Sequence, residues 1–371
     1  MEILGQTSLQ TILFIVIYSI TGVVPLIAAL YLLLRRGNAF APDITPPVRL
    51  RRWAALFFAV AALRQFWWLL VYVFSGDIRS VDDTLHSVGY VTFVMLDYVT
   101  ILSTIAGTLL AMLQDRRRPV WPVFVAMIPI VAMGGVFMTW SNELLAQIFL
   151  AYVLLLYVLF TVYMAFAVRQ YGQWLRDNYA DLERKEVWLT HVLSLLFMLL
   201  FILYALVDIN TILLMFLIQI TGLVLFVLLL WRVETLPQLD SILTLDPSPK
   251  EKGAPTVDLE QVERLLNKHC VAPQLYLQHE LSREQLAQAV GTNRSYLSQY
   301  FSRQGITYNT YINNLRINHF IKRYEEGVAA RQSISAQQLA YESGFSSYRT
   351  FSRAFTERMG QSVTAWMRET V

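Results

Sequence analysis

Hydrophobic and polar positions alternate on two different scales along this chain. Up to residue 231 the apolar residues come in long runs, at about 11–34, 53–75, 88–113, 120–140, 144–169, 188–207 and 211–231. Each run is near or above the roughly 20 residues that a helix needs to cross a bilayer. Seven membrane-spanning helices are therefore predicted, the last two separated only by an Asp208-Ile209-Asn210 turn. From residue 257 onward the apolar residues sit three and four apart, the pattern of helices with one buried face. Between the two regimes, Pro237, Pro247, Pro249, Gly253 and Pro255 preclude one continuous helix. The expected division is a transmembrane domain at 1–231, a cytoplasmic linker at 232–256 and a C-terminal domain at 257–371. As a flexible chain the linker would reach only about 25–30 Å. The predicted fold class is all-α: a polytopic seven-helix transmembrane bundle followed by a small helical domain.

The densest signal lies in LSREQLAQAVGTNRSYLSQYFSRQ, residues 281–304. Ser282 stands where a helix N-cap belongs, and Gln285 three residues on completes a capping box. Leu286, Ala287 and Val290 repeat at helical spacing, and Gly291 stops the helix where a left-handed backbone is needed. A second helix then buries Leu297 and Phe301. Its other face carries Arg294, Ser295, Ser298, Gln299 and Ser302, which is polar and free of carboxylates and suits entry into a DNA major groove. The pattern recurs: LAQAVG at 286–291 returns as LAYESG at 339–344, and Leu297, Ser298 and Phe301 return as Phe351, Ser352 and Phe355. The offset grows from 53 to 54 because the second turn is one residue longer. Two tandem helix-turn-helix motifs are predicted, joined by a long helical run at 308–326.

On these residues, on YINNLRIN (Tyr311 to Asn318) and on ISAQQLAYESGFSSYRTFSRAFTERMGQS (Ile334 to Ser362), the stretch 258–371 resembles the DNA-binding domain of the AraC/XylS family of bacterial transcription regulators. Val363 replaces a proline usual in the family, and Thr356 replaces a common lysine. The resemblance implies that both recognition helices enter successive major-groove segments, about 34 Å apart. Carried over position by position, it implies base-edge readers at Ser295, Ser298 and Gln299, then at Tyr348, Arg349, Ser352 and Arg353. Glutamine can pair with adenine and arginine with guanine. It implies phosphate contacts at Arg294, Arg303, Thr307 and Arg358, while Arg316 braces the linking helix. A homodimer on direct repeats also follows from the resemblance alone.

Charge orients the chain. Residues 1–256 hold 17 basic and 17 acidic side chains, and 257–371 hold 13 and 10. The loops after the first, third and fifth spans carry Arg35, Arg36, Arg49, Arg51 and Arg52, then Arg116, Arg117 and Arg118, then Arg169, Arg176, Arg184 and Lys185. The opposite side has Arg79 beside Asp77, Asp82 and Asp83. The positive-inside rule puts the N-terminus outside and the C-terminus in the cytoplasm of a bacterial inner membrane. Trp53, Trp121, Trp140, Trp188 and Trp231 fall near span ends, where interfacial rings are favoured. The charged segment RQYGQWLRDNYADLERKE extends the fifth or sixth helix into the cytosol, where it could touch the DNA-binding domain.

Inside the spans, Arg64 lies about 16 Å from either end of the second, and Asp97 about 13 Å from the outer end of the third. Such residues pair or line a polar cavity. An Arg64–Asp97 ion pair beside Gln65 and Gln219 is expected, either fixing the bundle or answering a signal. Pro25 and Pro129 free backbone carbonyls mid-span.

Catalytic signatures are lacking. The only lysine before residue 250 is Lys185, outside any span, which disfavours a retinal protein. No zinc-protease, phosphate-loop or nucleophile-elbow motif occurs. His86 and His191 read as hydrogen-bonded structural residues. The lone Cys270 excludes an internal disulfide and reads as a small buried side chain. The expected protein is a sensor and regulator with no cofactor and no metal, not an enzyme. A transporter or enzyme with an autoregulatory DNA-binding tail is the alternative. Expected partners are double-stranded DNA, the lipid bilayer, a second copy, RNA polymerase and a small-molecule or membrane-derived signal.

Overall fold

The computed structural model describes residues 8–35, 37–74, 88–139, 143–206, 212–239, 259–331 and 334–370. The described residues are all helix and turn, with one isolated β-bridge and no strand. They divide into two compact units: Met1–Val168 with Val187–Ser241, and Arg169–Glu186 with Ile242–Val371.

The first unit holds α1 (Ser8–Leu34), α2 (Val48–Phe74), α3 (Val88–Met112), α4 (Trp121–Thr139), the beginning of α5 (Glu143–Asn178), α6 (Trp188–Leu206) and α7 (Ile212–Thr235). Among the described residues, four helices contain stretches long and apolar enough to cross a membrane: Ile15–Leu34, Met95–Met112, Glu143–Asn178 and Phe216–Thr235. Trp121–Phe137 and Trp188–Leu200 are apolar but shorter. The helix α3 is central, packed by α2, α4 and α6, while α2 also packs on α1 and α7. The face that α1, α4 and α5 turn outward is apolar, with Ile27, Ile128 and Phe166 all exposed. In water such a surface would be a severe liability. Pro25 and Pro129 lie within α1 and α4, which remain helical through them.

Small residues set the helix spacing. A methyl group added at Gly107 would stand 2.3 Å from the Trp53 ring, so that glycine is what admits the indole between α2 and α3. Trp53 is thus a packing residue, whereas Trp121, Trp188 and Trp231 are exposed. Trp140, His86, Arg36 and the Asp77–Asp83 charges lie outside the described residues, as does the 208–210 turn.

The chain beyond α7 stays fastened to this unit. Arg35 pairs with the buried Glu234 at 2.5 Å, and Tyr31 donates to the same carboxylate. Asn38 donates to the Glu234 carbonyl, Gln238 to the Thr45 carbonyl, and Gln114 both donates to Pro237 and accepts from Leu239. The end of α1, the start of α2, the end of α3 and the end of α7 therefore gather at one end of the unit. The linker expected from 232 keeps this fixed course through Leu239; its remainder, 240–256, lies outside the described residues.

The second unit contains α8 (Leu259–Leu266) and a following π-type turn, α9 (Arg283–Val290), α10 (Arg294–Arg303), α11 (Tyr308–Ala329), α12 (Ala336–Glu342), α13 (Tyr348–Met359) and α14 (Val363–Thr370), together with the last turns of α5. It has two hydrophobic cores. One joins Val262, Leu266, Leu286, Val290, Leu297 and Phe301 to Tyr308 and Ile312. The other joins Leu339, Phe345, Phe351, Phe355, Val363 and Trp366 to Ile317, Phe320 and Tyr324. The long helix α11 supplies residues to both. Cys270 is fully buried, and burial pushes its thiol up to about 11.

Candidate nucleic-acid interface

Each helix-turn-helix is built from local capping rules. Ser282 accepts from the Gln285 amide while the Gln285 side chain accepts from the Ser282 amide, so the capping box closes in both directions. Gly291 takes φ +70°, which turns the chain into α10. Asn293, not singled out from sequence, caps α10 by accepting from the Ser295 amide. In the second motif Ser335 caps α12 and Ser347 caps α13. Gly344 has φ +92°, and a methyl group there would stand 2.8 Å from both the Cα and the carbonyl oxygen of Leu277. Only glycine meets both demands.

With the helices so placed, Ser295 and Gln299 on α10 are exposed and Ser298 is half-buried beside them. On α13, Tyr348, Arg349 and Arg353 are exposed and Ser352 is half-buried. These four line a shallow groove with Thr356 and Glu357. The residues expected on phosphates are more occupied. Arg294 faces Glu284 at 3.5 Å, and the Thr307 hydroxyl caps α11. Arg358 donates to the Asn314 carbonyl at 2.6 Å and to Asn318 Oδ1 at 2.5 Å. Arg303 is exposed in the last turn of α10.

Residues 286–369 match the family model described as a helix-turn-helix domain. The match runs from Leu286 in α9 to Glu369 in α14 and so takes in both motifs. It supports a DNA-binding transcription regulator with an AraC-type helix-turn-helix at its C-terminal end. Neither the curated proteins nor the solved structures give a match to the chain.

The sequence pointed to Arg316 as a brace for the linking helix but not to the polar hub that it forms. Arg316 is 0% exposed and donates to the Tyr276 carbonyl at 2.8 Å and the Gln278 carbonyl at 2.7 Å. Its remaining amine faces Asp181 at 3.3 Å, and its plane lies 5.5 Å from the Phe345 ring centre. Asp181, 3% exposed, also accepts from the Glu280 amide and from the Ser346 hydroxyl, both at 3.1 Å. One carboxylate thus ties together α11, the approach to the first motif and the turn of the second.

Asp181 is not alone. Asn309 donates to the carbonyls of Tyr179 and Ala180, and Tyr179 forms the β-bridge with Ser282. Arg283 donates to Asn178 Oδ1 at 2.9 Å. Lys185 is buried over the Tyr179 ring, donates to the Asp181 carbonyl, and has its amine pulled below the usual lysine range by burial. Farther along, Glu183 accepts from the Ser347 and Thr350 hydroxyls, and Glu186 faces Arg353 at 3.6 Å. The charged segment after the fifth apolar run is thus an integral part of the helix-turn-helix unit.

Proposed function

We propose that the chain is a membrane-embedded one-component sensor and a sequence-specific regulator of transcription. The observation that carries this reading is the pair of outward-facing recognition helices, α10 and α13, hung from one shared helix and free of carboxylates at their base-reading positions. In this reading Ser295, Ser298, Gln299, Tyr348, Arg349, Ser352 and Arg353 meet base edges. Arg294, Arg303, Thr307 and Arg358 lie toward phosphates, with Arg294, Thr307 and Arg358 releasing or sharing their present contacts.

The apolar outer faces of the first unit support a bilayer location. The gathering of the ends of α1, α3 and α7 supports an odd number of crossings. With the basic loops, that favours an outside N-terminus and a cytoplasmic DNA-binding end in a bacterial inner membrane. A second copy and RNA polymerase are the partners this mode of regulation calls for.

Arg353→Ala in the full-length protein is expected to weaken binding to a duplex engaged by both recognition helices by about 1–3 kcal/mol and to relax preference at one base position. Binding titrations on single-base variants of that duplex check this. An equal loss on every duplex would instead make Arg353 a phosphate contact.

The intramembrane cluster is the natural place for a signal to act. Arg64 Nε donates to Asp97 Oδ2 at 3.0 Å, and Gln65 donates to Gln219 at 3.1 Å and to Thr21 at 3.2 Å. Tyr18 donates to the Gln65 carbonyl, so α1, α2, α3 and α7 all contribute. Arg64→Leu and Asp97→Leu each remove one half of a charge pair within apolar helices, and a severalfold loss of folded protein is expected. The double variant is expected to recover it. Fluorescence-detected gel filtration of the three variants beside the parent checks this, and indifference to all of them would remove the pair's importance.

A further inference from the structure

Resting on the DNA-binding reading above, we infer that the turn 183–186, through Glu183 and Glu186, is an internal competitor for DNA at the second recognition helix. The structure is then the state in which that helix is masked. Glu183 occupies the N-terminal end of α13, accepting from the hydroxyls of Ser347 and Thr350. Backbone N–H groups and the helix dipole make that end attractive to anions, and a recognition helix meets DNA by this end. Glu186 faces Arg353, a base-edge candidate one turn farther on. Two carboxylates thus sit where DNA phosphates and base edges would approach.

The turn is held there by its neighbours. Residues 178–181 are fastened to the unit by the β-bridge, by both Asn309 bonds and by the buried Asp181–Arg316 contact. Tethering so short keeps the two glutamates at high effective concentration over α13. Their own contacts are weak by comparison. Glu183 is exposed, and the Arg353 side chain remains 73% exposed despite its partner. Exposed pairs of this kind contribute little each. The anchor is therefore strong and the mask is light, so DNA can displace Glu183 and Glu186 without undocking Asp181. Both recognition helices are capped by their own residues, Asn293 and Ser347, but the contacts of Glu183 and Glu186 described above fall on α13. The masked protein should read DNA through α10, and α13 should join when the mask lifts.

The test uses the full-length chain in lipid nanodiscs and a pool of random duplexes, selected in parallel by the parent and by Glu183→Gln/Glu186→Gln. Glutamine keeps the size and the acceptor oxygen while removing the charge. The expected result is a single box from the parent and two boxes one helical turn apart from the variant. On a two-box duplex the variant should bind about tenfold tighter. Adding Arg353→Ala to the variant should erase most of that gain. The same motif at the same affinity from parent and variant would overturn the mask and leave the DNA-binding reading standing. No enrichment by either protein would overturn both.

Discussion

Asp181→Ala is expected to remove about 3–5 kcal/mol from the stability of the helix-turn-helix unit. The variant deletes the carboxylate facing a guanidinium that is 0% exposed, leaving a charge in the interior with no counterion from this side. It also strands the Ser346 hydroxyl and the Glu280 amide. Against a typical domain stability of about 5–15 kcal/mol, that loss brings the unit close to unfolding at ambient temperature. Pulse proteolysis across a urea series, with the full-length protein in nanodiscs, measures it. Glu183→Gln, two residues away but exposed, should change the same stability by less than about 1 kcal/mol. Equal effects from Asp181→Ala and Glu183→Gln would mean that Arg316 is hydrated and that the hub has little energetic weight.

Phe320→Ala should be comparably severe, at about 3–5 kcal/mol, but local. The Phe320 ring is fully buried at the centre of the second core, 4.4 Å from Phe351 and 6.0 Å from Phe355 between ring centres. Removing it opens a cavity beneath α13, while Tyr308 and Ile312, which serve the first core, keep their neighbours. Hydrogen exchange should accelerate across 336–370 and remain slow across 283–303. Uniform acceleration across both motifs would show that the two cores unfold as one.

The contrast between these two residues marks what the sequence could and could not disclose. Phe320 belongs to a helical period, and its burial follows from Ile317, Phe320 and Tyr324 sharing a face. The caps at Ser282 and the turn at Gly291 were legible for the same reason: local backbone chemistry dictates the residue type within a few positions. Asp181 obeys no local rule. Its partner lies 135 residues away, and nothing near Arg316 in the sequence announces which carboxylate will meet it. The one available signal was that Arg316 sits among Ile312, Ile317 and Phe320, so it faces inward and needs an acid from elsewhere. The charged run around Asp181 was visible too, and it read as a cytosolic extension that could touch the DNA-binding domain, but nothing in it singled out which residue would do so. For the same reason the domain limits drawn along the chain differ from the compact units. Linear boundaries follow composition, whereas residues 169–186 are assigned by contacts. At Arg64 and Asp97 the physics is simpler, since two opposite charges at similar depth in apolar helices have few alternatives to each other.

The membership of 169–186 bears on how this protein can be dissected or cleaved. The unit that carries both motifs is written in two pieces, and the chain between them runs through α6 and α7. A fragment beginning at 257 inherits Arg316 but not its carboxylate, and α9 but not the strand-like partner of Ser282. Proteolysis between the two units would likewise not liberate an intact module. It would split one, parting α10 and α13 from the segment that braces the unit and, in the state proposed above, covers α13. On the proposed reading, a released fragment would therefore differ from the whole chain in two opposing respects, freer to meet DNA at α13 and shorter-lived as a folded object.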